Sequence, residues 1–231
     1  TALVKNQTGY KNLLKLVSIG ELEGFYYKPR VDKETIKKYK AGIIFLSGCT
    51  RGEIPQAVLA NDLKKASALS EEYRKIFGSE NFYLELQDHP ELPDQEKINK
   101  ALLQISQELN IPIVVTSDIH YLKLEDKKAQ DVLLAIQTGT EIENEDRFSM
   151  TQADLHFKAP EEIIKNFSFC PQVFDNIKKI VDECNLELEL GKVIIPYFKA
   201  PSGESSFDYL SKLAWEGFSK LNFDSNEAAK E

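Results

Sequence analysis

Three short apolar runs, Gly42–Leu46, Phe82–Leu86 and Ile111–Val115, constrain this chain more than any other feature of its sequence. Each has strand length, and each is largely apolar rather than alternating, the pattern of a strand covered on both faces. Segments of helical spacing lie between them, Ile54–Leu59 with Leu63–Phe77 and then Asp94–Leu109, and another, Glu125–Ile136, follows. Strands alternating with helices predict an α/β fold, a parallel sheet or barrel covered by helices.

The flanks extend this pattern. Ala2–Val4 reads as the tail of a strand, followed by a helix from about Thr8, with Thr8 as N-cap and Leu13, Leu14, Leu16 and Val17 as its apolar face. Gly and Pro interrupt both periods across Gly24–Arg30, which reads as irregular, and Asp32 reads as the N-cap of a short helix, Lys33–Tyr39. After about Gly139 the rhythm changes. Glu141–Ser149 is acidic and polar, a surface loop; Pro160–Phe167 and Gln172–Cys184 read as helices, with Pro160 suited to a first turn. Lys192–Phe198 reads as a short strand, Ser205–Leu221 as an amphipathic helix, and Asp224–Glu231 as a frayed polar tail.

With 231 residues, 42% of them hydrophobic, the chain can bury a sizeable core. Its formal net charge of −8 argues against a surface that is basic throughout, though not against a DNA-processing protein whose basic surface lies elsewhere. No apolar run approaches the roughly 20 residues of a membrane span. The start, Thr1-Ala2-Leu3-Val4-Lys5-Asn6, has neither an initiator Met nor a secretory signal, so a beginning inside a longer protein is expected. Cys49, Cys170 and Cys184 are odd in number and far apart, which disfavours a disulfide framework and suits a reducing cytoplasm.

The chemistry is placed by position. Each apolar run leads directly into ligand-capable groups: Ser47-Gly48-Cys49, then Gln87-Asp88-His89, then Thr116-Ser117-Asp118-Ile119-His120. In parallel α/β barrels the strand ends all open onto one face, where active sites are built. If the last of these segments is extended, Asp118 and His120 point the same way and together suit a divalent metal such as Zn²⁺ or Mn²⁺. A D-x-H pair alone is common, and a satisfied polar turn explains it equally well. Cys49 reads either as a small buried hydrophobe or as a thiolate ligand, with Arg51 placed to lower its pKa. His89, held extended by Pro90, reads as a ligand, a substrate contact or a solvated loop residue. His156 lies far from these strand ends and reads as structural, and Cys170 and Cys184 as core residues flanking helices. No P-loop, dinucleotide fingerprint, C-x-x-C or G-x-S-x-G is present.

The same residues carry a family resemblance. Lys5-Asn6-Gln7-Thr8-Gly9-Tyr10-Lys11-Asn12-Leu13-Leu14-Lys15-Leu16-Val17-Ser18, Gly24-Phe25-Tyr26-Tyr27-Lys28-Pro29-Arg30-Val31-Asp32, and Leu46-Ser47-Gly48-Cys49 with Gly52-Glu53-Ile54-Pro55 resemble bacterial DNA polymerase III alpha subunits. The match continues, in order, through Phe82–His89, Asp118-x-His120-Tyr121, Gln137-Thr138-Gly139, Phe157-Lys158 and Pro160-Glu161-Glu162, Asn176, Cys184-Asn185 and Pro196-x-Phe198.

The resemblance implies a PHP domain, a distorted (β/α)7 barrel with a metal cluster at the strand ends, here without its N-terminal strands. It implies residues 1–140 as partial PHP barrel, 141–200 as the remainder and connection, and 201–231 as the helical start of a polymerase palm region. Carried over residue by residue, it makes Cys49, Asp118 and His120 ligands of Zn or Mn, with His89 and Arg51 beside the site and no acid or base among them. It implies Mg at a palm site outside this chain, and as partners primer-template DNA, a sliding clamp and a proofreading exonuclease, in the cytoplasm and away from membranes. The upstream H-x-H and T-D-H motifs of a complete PHP site are absent from this sequence. Missing barrel strands should leave apolar edges, so poor solubility or oligomerisation is expected of the isolated piece.

Overall fold

The computed structural model describes residues 1–193 and 195–221. The chain forms two compact units, one from Thr1 to Glu187 and the other from Leu188 onward.

The first unit is built on one open sheet in the order β1-β2-β3-β4, with β1 Ala2–Val4, β2 Ile43–Leu46, β3 Phe82–Gln87 and β4 Ile113–Thr116. All three apolar runs are strands, and they pair in parallel: Phe45 with Phe82, and Leu84 through Gln87 with Ile113 through Thr116. β1 runs antiparallel to β2, with Leu3 opposite Ile44. The sheet does not close into a barrel, in keeping with a partial PHP-type α/β fold. At the β4 edge, Asn176 Nδ2 donates to the Ile113 carbonyl at 2.8 Å, satisfying an acceptor that a further strand would otherwise take.

The strands alternate faces. Ile43, Phe45, Phe82, Leu84, Leu86, Ile113 and Val115 join the larger core, together with residues of helices α1 (Gln7–Leu22), α3 (Glu53–Leu59), α4 (Leu63–Phe77) and α5 (Pro93–Leu109). Phe45 and Phe77 stack with ring centres 3.9 Å apart, joining β2 to the end of α4. Ile44, Tyr83 and Val114 face the other way, against Ile177, Ile180 and Cys184 on or just after α8 (Gln172–Glu183). Burying a side chain of this size contributes about 1.5–3 kcal/mol, so coverage of both faces explains why these strands are nearly all apolar. Cys170 lies in the larger core at 2% exposure, as a core residue should.

Three local readings change. Asn6, rather than Thr8, caps α1, its side-chain oxygen accepting from the Thr8 and Gly9 amides at 3.1 Å. Of the apolar face expected for that helix, Leu16 is buried, but Leu14 and Val17 are half exposed; the buried positions are Gly9, Leu16 and Gly20. The described residues of Lys192–Phe198 form no strand, since no neighbouring backbone pairs with them. Asp32 does cap the short helix α2 (Lys33–Lys38), accepting from Thr35 N at 2.7 Å. A 3-10 turn, Leu124–Asp126, leads into α6 (Lys127–Thr138), and α7 spans Pro160–Asn166.

In the second unit α9 (Ser206–Lys220) is capped by Ser205, and Tyr209 stacks on Phe198. The polar tail Asp224–Glu231 lies outside the described residues. No described helix is long and apolar enough to cross a membrane.

Candidate functional site

Because β2, β3 and β4 are parallel, their exits reach the same end of the sheet, and a cleft of about 560 Å³ opens there. Cys49, Arg51, His89, Asp118 and His120 all line it. Every candidate read from the sequence is therefore brought to one place.

Each strand exit is held differently. After β2, Ser47 Oγ accepts from Glu85 N at 2.8 Å, Gly48 turns with φ +83°, and Gly52 N donates to the Cys49 carbonyl, leaving Cys49 on a tight, partly exposed turn. The Arg51 guanidinium lies 5.7 Å from the Phe148 ring centre across the cleft, rather than on the thiol.

At the exit of β3 the chain stays buried: Gln87, the last residue of the strand, and the following Asp88 and His89 are each at most 4% exposed. Asn99 clamps the Gln87 peptide, accepting from its amide and donating to its carbonyl at 2.8 Å. Asp88 receives Lys158 Nζ at 2.9 Å on Oδ2 and Asn166 Nδ2 at 3.1 Å on Oδ1. His89 is thus neither solvated nor paired: both ring nitrogens are buried without a hydrogen-bond partner, and Glu91 Oε1 is 3.8 Å from Nδ1. Burial, only partly opposed by nearby carboxylates, holds its pKa below the usual histidine value, so the neutral ring is favoured.

After β4, the expected geometry fails. Asp118 has φ +46°, in the left-handed region, so Asp118 and His120 are not on an extended strand and the i, i+2 alignment does not apply. One contact is local and one is not: His120 Nδ1 lies 2.6 Å from the Asp118 carbonyl, and His120 N donates to the Leu155 carbonyl of a later segment, so the chain curls toward 153–158. His156 follows, joined to Tyr121 by a parallel bridge, so it lies beside the third strand exit rather than far from it.

Sequence reasoning missed the far wall, Phe148 to Leu155, and Gln95, a 2% exposed residue of α5 whose Oε1 is also without a partner. Lys158 was missed as well. Phe157-Lys158 entered only as part of the family resemblance, without a role, although a lysine in the apolar setting Phe157-Lys158-Ala159-Pro160 is a signal of a buried charge.

Among the described residues, no group of three or more His, Cys, Asp or Glu side chains is arranged to hold a metal ion. Cys49, Asp118 and His120 share a cleft without converging, His120 has one ring nitrogen turned to the Asp118 carbonyl, and the Asp88 carboxylate is taken up by an ammonium. As arranged, these side chains do not fit a metal centre.

Residues 1–89 match the PHP domain family. Over 217 residues the chain is 39% identical to DNA polymerase III subunit alpha of Borreliella burgdorferi, covering 93% of this chain and 19% of that protein. It is 38% identical over 223 residues to the subunit of the same name from Thermus aquaticus, covering 94% of this chain and 18% of that protein. With the Treponema pallidum subunit it shares 35% identity over 216 residues, again 93% and 18%. The chain thus spans about a fifth of the length of these relatives.

Proposed function

The chain belongs to the DNA polymerase III alpha-subunit family as a PHP-containing segment, and from that premise we propose that it serves DNA-templated DNA synthesis as the PHP module of a replicative polymerase. In this reading the cleft at the strand ends faces a phosphodiester of the DNA. The observation that carries it is the arrival of Cys49, His89, Asp118 and His120, from three separate strand exits, at one cleft. Such a protein works on primer-template DNA in the cytoplasm alongside a sliding clamp and a proofreading exonuclease, with Mg at a palm site elsewhere in the polymerase.

Within this proposal the cleft has two possible duties. One is metal-dependent 3′→5′ exonuclease action, with Zn or Mn on Cys49, Asp118 and His120. That duty requires donors beyond those the described residues bring together. The other is a scaffold that braces the polymerase and docks the exonuclease. The buried Lys158–Asp88 pair favours it, because it fills a strand exit with a salt bridge rather than an open carboxylate.

The deciding experiment uses the full-length polymerase, wild type and His120→Ala. Metal content, degradation of a primer 3′ end and primer extension are measured side by side. Loss of metal and of degradation with extension intact establishes the nuclease. Equal behaviour of the two proteins establishes the scaffold. A wild type that does not extend primers overturns the polymerase reading.

A further inference from the structure

The loop between α1 and α2 is not used by the cleft, and it has its own chemistry. Phe25, Tyr26 and Tyr27 are consecutive aromatic residues exposed by 58%, 65% and 82%. They are presented on a closed turn: Tyr26 N donates to the Lys28 carbonyl at 3.1 Å, and Tyr26 and Lys28 form an isolated antiparallel bridge. Tyr27, at the tip, has φ +58°, a conformation costly for an aromatic residue and here not offset by burial. The base of the loop is tight, since a Cβ on Gly24 would come within 1.9 Å of the Arg30 carbonyl oxygen. The rings therefore stand on a preformed support.

The loop is also cationic. From Gly24 to Val31 there is no carboxylate, and both Lys28 and Arg30 are exposed. Neither forms an ion pair among the described residues, and the Arg30 guanidinium lies 5.4 Å from the Tyr26 ring centre. Exposed rings interleaved with unpaired cations suit a strand whose bases stack while its phosphates are neutralised.

Position connects the loop to the cleft. α1 starts beside Gly42, at the entry to β2, where Lys5 N donates to the Gly42 carbonyl, and its 16 residues span about 24 Å before the loop begins. Beyond the loop, Lys33 Nζ is 3.2 Å from Oε2 of Glu53, the first residue of the helix that follows Cys49–Arg51. The chain leaving the loop is thus tied to the helix that follows the Cys49–Arg51 turn of the cleft.

We propose that Phe25–Arg30 is a contact for single-stranded DNA, its rings stacking on bases and Lys28 and Arg30 meeting phosphates. This rests on the reading of the chain as part of a DNA polymerase. The test uses the full-length protein with single-stranded oligodeoxynucleotides bearing 5-iododeoxyuridine, in EDTA so that no hydrolysis intervenes. Irradiation should give an adduct on the peptide containing Phe25, Tyr26 and Tyr27. Tyr26→Ala and Tyr27→Gly should each weaken binding about 5-fold or more, and glycine at 27 suits the positive φ, so its effect is not a folding defect. Lys28→Gln with Arg30→Gln should lower the slope of log affinity against log salt by about 1.4. Adducts confined to other segments, with affinity and slope unchanged, overturn the proposal and leave the rings to a protein contact. Because crosslinking is read without polymerisation, a protein that extends primers yet shows that result fails only this inference. One that cannot extend primers fails the functional reading, while its adduct map still decides the loop.

Discussion

Lys158 places its ammonium 2.9 Å from Asp88 Oδ2 and 2.7 Å from the Asp88 carbonyl oxygen, across 70 positions of sequence. Both side chains are at most 4% exposed. Asn166 Nδ2 completes the arrangement, 3.1 and 3.2 Å from the two carboxylate oxygens. A carboxylate at the exit of the central strand is thereby committed to fixing the chain that leads to His89. The pair also ties the stretch before α7 to the end of β3.

Removing one member of this pair should be far worse than removing both. Lys158→Met leaves a buried carboxylate with only an amide for company, and a loss of about 3–5 kcal/mol is expected in urea unfolding. Adding Asp88→Asn should recover most of that loss, since neither remaining group is charged. A single variant within about 1 kcal/mol of wild type would show that the ammonium is dispensable.

Stability should fall at alkaline pH through Tyr73. Its hydroxyl donates to Glu53 Oε2 at 2.8 Å, and burial, then that carboxylate, push its pKa up to about 12 from 10. The folded form thus favours the protonated phenol. Its contribution is fully present below pH 10, where the unfolded tyrosine is also neutral, and is lost as pH rises from about 10 to 12. Tyr73→Phe should cost about 1 kcal/mol at neutral pH and flatten the decline of Tm between about pH 10 and pH 12. An unchanged alkaline decline in the variant would remove Tyr73 as its cause.

Gly9 permits a backbone approach as close as the one at Gly24. A Cβ there would lie 1.9 Å from the Gly42 carbonyl oxygen, which is backbone and cannot step aside. Gly9→Ala should therefore destabilise the protein by roughly 3 kcal/mol or more, in the range of overpacked sites. Gly217→Ala, on α9 with nothing within 4 Å, should be neutral or stabilising by up to about 1 kcal/mol. Equal effects on the Tm would contradict this assignment of close contact.

The start of α1 gives a fourth test. Asn6→Ala removes an acceptor for two amides and should cost about 1 kcal/mol, whereas Thr8→Ala, inside the first turn, should cost a few tenths at most. The reverse order in chemical denaturation would restore Thr8 as the cap.

The fold was legible where composition and period agree. Ile43–Leu46, Phe82–Gln87 and Ile113–Thr116 are covered on both faces, so their apolar character is written continuously into the sequence. Helices such as Leu63–Phe77 and Pro93–Leu109 were equally plain, because a buried stripe at helical spacing leaves few alternatives. Lys192–Phe198 misled for the same reason: an apolar run states what could pair, but a strand also needs a neighbouring backbone.

The sequence by itself determined which residues follow each strand, and parallel pairing then carried Cys49, His89, Asp118 and His120 to one cleft. Only the tertiary structure decided how those groups face one another. The left-handed turn at Asp118 depends on a carbonyl reached by His120 and on Leu155 from a later segment. The neutralisation of Asp88 depends on Lys158, 70 positions away. Hydrophobic period is a local property that one stretch of chain can display, whereas the pairing of buried charges and unusual backbone angles is settled by neighbours that the fold supplies.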